Sequence, residues 1–129
     1  MYQIQVDKIF AASHAIRLPD GELEPLHGHN WSVSVTVQAA ELDAIDTVMD
    51  FHILASWLDA LLATVHNRHL NDVPPFADEQ GGLQVNPSAE RVAWWIGSQI
   101  AGRLPDHVRL VSVSIGESPG CTAIYLPYD

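Results

Sequence analysis

In His27-Gly28-His29-Asn30-Trp31-Ser32-Val33-Ser34-Val35-Thr36-Val37-Gln38, two kinds of side chain alternate without a break. On an extended chain, His27, His29, Trp31, Val33, Val35 and Val37 fall on one face, and Ser32, Ser34, Thr36 and Gln38 fall on the other. The pattern predicts a β-strand with one face covered by the rest of the protein. Its first two inward residues are imidazoles, with Cα atoms about 6.6 Å apart at the usual rise of a strand. Two such rings can converge on one ion, because Zn–N bonds are about 2.0–2.1 Å long. Alone, His-x-His also fits two histidines that cap a turn.

Working outward, residues 2–14 alternate as well. Tyr2, Ile4, Val6, Phe10, Ala12 and His14 share one parity, and Gln3, Gln5 and Asp7 the other. Lys8 and Ile9 break the pattern, which predicts a bulge there. Residues 15–26 carry Pro19, Gly21 and Pro25 and read as a loop. After a turn at 39–48, Asp50 is placed to cap a helix over about 51–65, with Leu54, Leu58, Leu61, Leu62 and Val65 at helical spacing. Pro74-Pro75 and Gly81-Gly82 keep 66–86 irregular. Asn86 as N-cap and Pro87 at the first helical position start a second helix to about Ala101, with Ala89, Val92, Ile96 and Ile100 inward. A strand over 108–117 places Val111, Val113, Ile115 and Glu117 in phase. A Ser118-Pro119-Gly120 turn then leads to a strand over 121–128. The order ββααββ, with no repeat or linker, predicts one α+β domain over 1–129. It would be a four-stranded antiparallel sheet with both helices on one face.

Composition narrows the function. Six Lys+Arg against sixteen Asp+Glu give a net charge of −10, which repels nucleic acid and anionic membranes. No apolar run has the length of a membrane span and Met1–Gln5 has no signal pattern, so the expectation is a soluble, cytoplasmic protein. The single cysteine, Cys121, excludes an internal disulfide and a cysteine zinc site, and reads as a small buried residue. No P-loop, dinucleotide fingerprint or Ser-His-Asp arrangement is present.

Seven histidines stand out for this length. His14, His27 and His29 all share the apolar phase of their strands, so all three point to the covered side. Three neutral imidazoles with one open position form a catalytic zinc pattern. Glu117, on the same phase at a strand end, either sits at the rim or anchors something polar. A fixed carboxylate can accept two parallel N–H bonds from an amino-pyrimidine edge. His66-Asn67-Arg68-His69 is either a polar helix end that complements the helix dipole or a place for a general acid/base.

With these motifs, the chain resembles the 6-pyruvoyl-tetrahydropterin synthase / 6-carboxy-tetrahydropterin synthase family over nearly its whole length. Phe10-Ala11-Ala12-Ser13-His14 resembles the first ligand motif and His27-Gly28-His29-Asn30 the second and third. Val48-Met49-Asp50-Phe51, Leu70-Asn71-Asp72, Asn86-Pro87-Ser88-Ala89-Glu90, Gly116-Glu117 and Cys121-Thr122-Ala123 match further segments. The resemblance implies a tunnelling (T-) fold in which sheets of three subunits join into a β-barrel and two trimers stack into a homohexamer. It implies Zn2+ on His14, His27 and His29, with Glu117 gripping the pterin. It also implies lyase chemistry on 7,8-dihydroneopterin triphosphate or a related dihydropterin, as in queuosine, biopterin or folate pathways.

Two family features differ. The family's catalytic cysteine before His-Gly-His is missing from Asp20-Gly21-Glu22-Leu23-Glu24-Pro25-Leu26. Alignment on Leu70-Asn71-Asp72 puts His66 and Asn67 where the family has Asp-His, and a one-residue slip keeps His66 but puts Val65 in place of the Asp. A carboxylate can act as a base, so Glu24 and Glu22 are candidate replacements, with His66 as proton partner. Arg17 and Arg68 could clamp a phosphate or simply be solvated. The alternative function is a non-catalytic zinc- and pterin-binding paralogue.

Overall fold

A computed structural model describes residues 1–127. The strands are β1 (Tyr2–His14), β2 (His27–Ala39), β3 (Arg68–His69), β4 (Arg109–Ser118) and β5 (Cys121–Tyr125), and the helices are α1 (Phe51–Ala63) and α2 (Ala89–Ala101). They form one sheet in the order β3-β1-β2-β4-β5. All pairings are antiparallel except β1–β3. The expected four strands are therefore five. The extra strand has two residues, too few to show a period. It forms because Asn67 turns the chain at φ 58° and its N–H reaches the Ala11 carbonyl at 2.6 Å.

The β1–β2 ladder runs unbroken from Tyr2 opposite Ala39 to His14 opposite His27. The bulge expected at Lys8-Ile9 is absent. Lys8 keeps the inward phase by sending its ammonium out to Asp59 of α1, 3.2 Å away, while Ile9 faces the open side. Both helices cover the face that carries Phe10, Trp31, Val33, Val35, Val113 and Ile115, and one contiguous core joins them to the sheet. The open face bears polar residues such as Gln3, Gln5, Ser32, Ser34 and Thr36.

Helix α1 is capped by Asp50, whose carboxylate accepts from His52 N at 2.8 Å. It stops at Ala63, so Val65 is buried just beyond it. Helix α2 starts later than expected. Ser88 is the cap and accepts from Arg91 N at 3.1 Å. Asn86 is occupied elsewhere: its amide bonds both the N–H and the C=O of Arg17, at 2.8 and 3.1 Å.

In β4 the register against β2 shifts between Thr36 and Val37, so Val111 has no cross-strand partner and Leu110 takes the buried position. A second shift, against β5, leaves Glu117 unpaired between Gly116 and Ser118. Cys121 is exposed where β5 begins, not buried. The strand expected over 121–128 ends at Tyr125, and Tyr128 lies outside the described residues. No helix among the described residues is long and apolar enough to cross a membrane.

Candidate metal centre

The register of β1 against β2 builds the site. His14 faces His27 across the ladder, and His29 faces Ala12 on the same side. His14 is fully enclosed, and its Nδ1 donates to the Pro87 carbonyl at 2.7 Å. His27 Nδ1 donates to the Pro25 carbonyl at 2.9 Å. A carbonyl only accepts, so both rings carry their proton on Nδ1 and turn a lone pair inward on Nε2. Those two Nε2 atoms stand 3.0 Å apart. In neutral rings of this tautomer two lone pairs face each other there, an approach that a shared cation, a metal ion or a proton, makes favourable.

His29 gives the same indication. Its Nε2 is buried with no hydrogen-bond partner. It lies 3.1 Å from a Glu117 oxygen, an ion-pair distance without hydrogen-bond alignment. Burial holds the His29 pKa below the ordinary imidazole value; the Glu117 charge opposes this, while His14 and His27 reinforce it. A neutral imidazole is the form that ligates metal. Beneath the rings lies Trp31, whose indole N–H donates to the Ala12 carbonyl at 3.1 Å. Its ring meets His14 and His29 edge-on, at centroid distances of 4.8 and 5.5 Å, and stacks on Phe10 at 5.7 Å.

The fourth member of the cluster is Glu117. Its Oε1 lies 3.0 Å from His14 Nε2, 3.1 Å from His29 Nε2 and 3.9 Å from His27 Nε2. One donor atom from each of His14, His27, His29 and Glu117 falls within 4.8 Å of all the others. Around a tetrahedral ion with bonds of about 2.0–2.1 Å, donors stand about 3.3 Å apart. Donor type, spacing, the orphaned Nε2 and the two carbonyl-fixed tautomers therefore all fit a bound metal ion.

The loop before His27 brings in one carboxylate. Glu24 pairs its N–H with the Ile16 carbonyl and accepts from Ile16 N through Oε1, both at 2.9 Å. This holds Oε1 3.9 Å from His27 Nε2. Glu22 is exposed; its backbone and the Asp20 side chain close the turn. His66 is exposed after α1, and its Nδ1 accepts from Ala11 N at 3.1 Å. The structure thus gathers His14, His27, His29, Glu117 and Glu24, and leaves Glu22 and His66 outside that group.

Sequence reasoning included His69 in the stretch after the first helix but took His66 from it as the proton partner. Pairing of β3 with β1 sets His69 opposite Ser13, and its Nδ1 lies 3.0 Å from the Ser13 hydroxyl. Both border a cavity of about 470 Å3 that His29, Asn67 and Arg68 also line. Only the pairing of two distant segments reveals it. Arg68 thus borders a cavity, whereas Arg17 is held by its backbone to Asn86.

Residues 3–127 match the family described as 6-pyruvoyl tetrahydropterin synthase. A dihydroneopterin monophosphate aldolase from Pyrococcus furiosus is 32% identical over 108 residues, which covers 84% of this chain and 82% of the relative. A probable 6-carboxy-5,6,7,8-tetrahydropterin synthase from Halobacterium salinarum is 27% identical over 125 residues, covering 88% and 79%. The fold is shared with 6-pyruvoyltetrahydropterin synthase from Plasmodium vivax, solved with a catalytic glutamate changed to alanine. The TM-score is 0.75 at 18% identity, and the alignment covers 96% of each chain. The subunit architecture of the tunnelling fold expected from the resemblance, two helices on one face of a mostly antiparallel sheet, is therefore observed. With the ligand motifs, the sheet that carries them and the sequence match all in agreement, the chain belongs to the 6-pyruvoyl tetrahydropterin synthase family.

Proposed function

We propose that the protein is a zinc-dependent lyase acting on 7,8-dihydroneopterin triphosphate or a related dihydropterin, with Glu24 in place of the family's cysteine. The observation that carries this reading is the convergence of three imidazole nitrogens with Glu24 beside them. The 32% identical aldolase supports a carbon–carbon cleavage, and the Plasmodium vivax protein shows that a glutamate can be a catalytic residue on this fold.

Zinc held by His14, His27 and His29 would supply Lewis-acid polarisation of the substrate's side-chain oxygens. The chain supplies the rest. Glu117 accepts the paired N–H groups of the amino-pyrimidine edge and fixes the ring. Glu24, tied by Ile16, takes the proton of the 2′-hydroxyl. The C1′–C2′ bond then breaks, C2′ leaves as an aldehyde, and the bond's electron pair passes into the ring C=N. A proton must return to C1′. His69, in the cavity wall with Ser13, is better placed for this than His66, whose ring is spent on Ala11. The sheet leaves edges at β3 and β5 and presents a polar open face, which suits closure into a barrel of subunits in a homohexamer.

The test is anaerobic incubation of metal-loaded protein with 7,8-dihydroneopterin and its mono- and triphosphate, with products identified by mass spectrometry. A shortened pterin or a lost triphosphate is expected. Tight pterin binding with no product at high protein concentration would refute the lyase and leave a binding paralogue. Elemental analysis should find about one zinc per chain, in line with one three-histidine site.

A further inference from the structure

Glu117 is needed in two places. As the pterin anchor it must face a ligand, yet its Oε1 lies among the three Nε2 atoms, 3.0, 3.1 and 3.9 Å away. Those values bracket the spacing between donors around one tetrahedral ion, about 3.3 Å. Four protein donors make a closed site, while catalytic zinc sites keep one position open.

We propose that Glu117 is the fourth metal donor in the substrate-free protein and that the pterin edge draws it away, so the open position exists only once a substrate is seated. The inference rests on the metal-dependent reading above. Three features of the chain carry it. Glu117 is the unpaired residue of a β-bulge, and a bulge re-aims its side chain without disturbing the ladder on either side. The residue also has somewhere to go. It borders a second cavity, of about 510 Å3, lined by Ala89, Glu90, Cys121, Thr122 and Ala123. Finally, with Glu117 turned inward one anion offsets part of the ion's charge among three neutral imidazoles. An arriving pterin offers that carboxylate two parallel N–H donors in exchange.

The order of events follows. The pterin edge would bind first and draw the Glu117 carboxylate away from the three imidazoles, which would leave room beside them for a side-chain oxygen. In the resting protein, water and stray anions are kept from the metal.

The experiment uses the cobalt(II)-substituted protein and oxidised neopterin, which has the same amino-pyrimidine edge and lacks the dihydro ring the reaction needs. Wild-type protein should show the intense visible absorption of four-coordinate cobalt, and the bands should change as neopterin saturates the site, with saturation read independently from fluorescence. In E117Q, without neopterin, the bands should differ from wild type from the start. Its cobalt affinity by chelator competition should fall by about 10-fold or more. Identical spectra and affinities for wild type and E117Q would overturn the proposal, as would a wild-type spectrum that ignores saturating neopterin. If wild type binds no cobalt at one per chain, the metal centre itself is refuted and this inference with it.

Discussion

Asn71 ties the end of β1, just past His14, to the segment after β3, and its removal should be costly. The side chain is 8% exposed. Its Oδ1 accepts from Ala15 N at 2.9 Å, and its Nδ2 donates to Ala15 O at 2.7 Å. Ala15 is buried and directly follows His14 of the proposed metal site. In Asn71→Ala both backbone groups of Ala15 lose their partner in a dry place. Each such group costs about 1–3 kcal/mol, so the loss should be about 3 kcal/mol after partial relief by entering water. For a chain of this size that lowers Tm by roughly 10 °C. Metal affinity should fall as well, because His14 loses the clamp that sets its backbone. Asn71→Asp separates the hydrogen bonds from packing. Its carboxylate still accepts from Ala15 N but opposes Ala15 O, and protonation restores a donor. Its deficit against wild type should therefore shrink as pH falls. Urea unfolding of the metal-stripped proteins, followed by circular dichroism, reads both effects. If Asn71→Ala stays within about 0.5 kcal/mol of wild type, the clamp is not a significant source of stability.

Three other substitutions probe separate parts of the molecule. Glu24→Gln should lower kcat for dihydropterin cleavage by about 10²–10⁴, the usual contribution of a general base, while exposed Glu22→Gln changes it far less; equal kcat in Glu24→Gln and wild type would remove Glu24 as the base. In Gly97→Ala the new Cβ would stand 2.6 and 2.8 Å from Tyr125 ring carbons, so the Tyr125 ring or α2 must give way. Overpacking of about 1–3 kcal/mol should outweigh the gain in helix propensity of about 1 kcal/mol, giving a lower Tm by calorimetry. The Asp43 carboxyl is held below its usual pKa, first by the Thr47 hydroxyl at 2.7 Å, then by the backbone of Thr47. The folded state therefore releases this proton more readily than the unfolded state. Its stabilisation is complete above the ordinary carboxylate pKa and is lost as pH falls through the lower folded value. Asp43→Asn should unfold at lower urea than wild type at neutral pH, and the two midpoints should converge in acid.

Much of the site could be read from the chain because its parts obey local periods. Alternation from His27 to Gln38 and from Tyr2 to His14 placed three histidines on one covered face, and an unbroken ladder keeps them there. What stayed hidden depends on contacts between distant segments. Asn86 and Ser88 are both good helix caps, and only the bonds of Asn86 to Arg17 decide between them. His66 and His69 follow the same helix end, yet the positive φ of Asn67 separates their directions, and no local pattern announces that turn. Phase put Glu117 on the correct side of the sheet, but the bulge that gives its carboxylate access to the histidines appears only when β4 is paired with β5. Cys121 was expected inside by residue type; a position at the start of the edge strand overrides that preference.

The thirteen-residue pairing of β1 with β2 has a consequence for how such a protein can change over evolutionary time. A slip of one residue would turn the side chains of one strand to the opposite face and so part His14 from His27 and His29. The long ladder guards against this from the far end, from Tyr2 opposite Ala39 onward, and does not rely on the connection between the strands. That connection is the segment that carries Glu22 and Glu24. Apart from the Pro25 carbonyl that orients the His27 ring, it can gain, lose or exchange reactive groups while the backbone of the histidine-bearing strands keeps its place. On the proposed reading, a glutamate can take the place of a cysteine in such a loop while His14, His27 and His29 stay together. The chemistry is thus the replaceable part of the protein, and the pairing of two strands is what makes it replaceable.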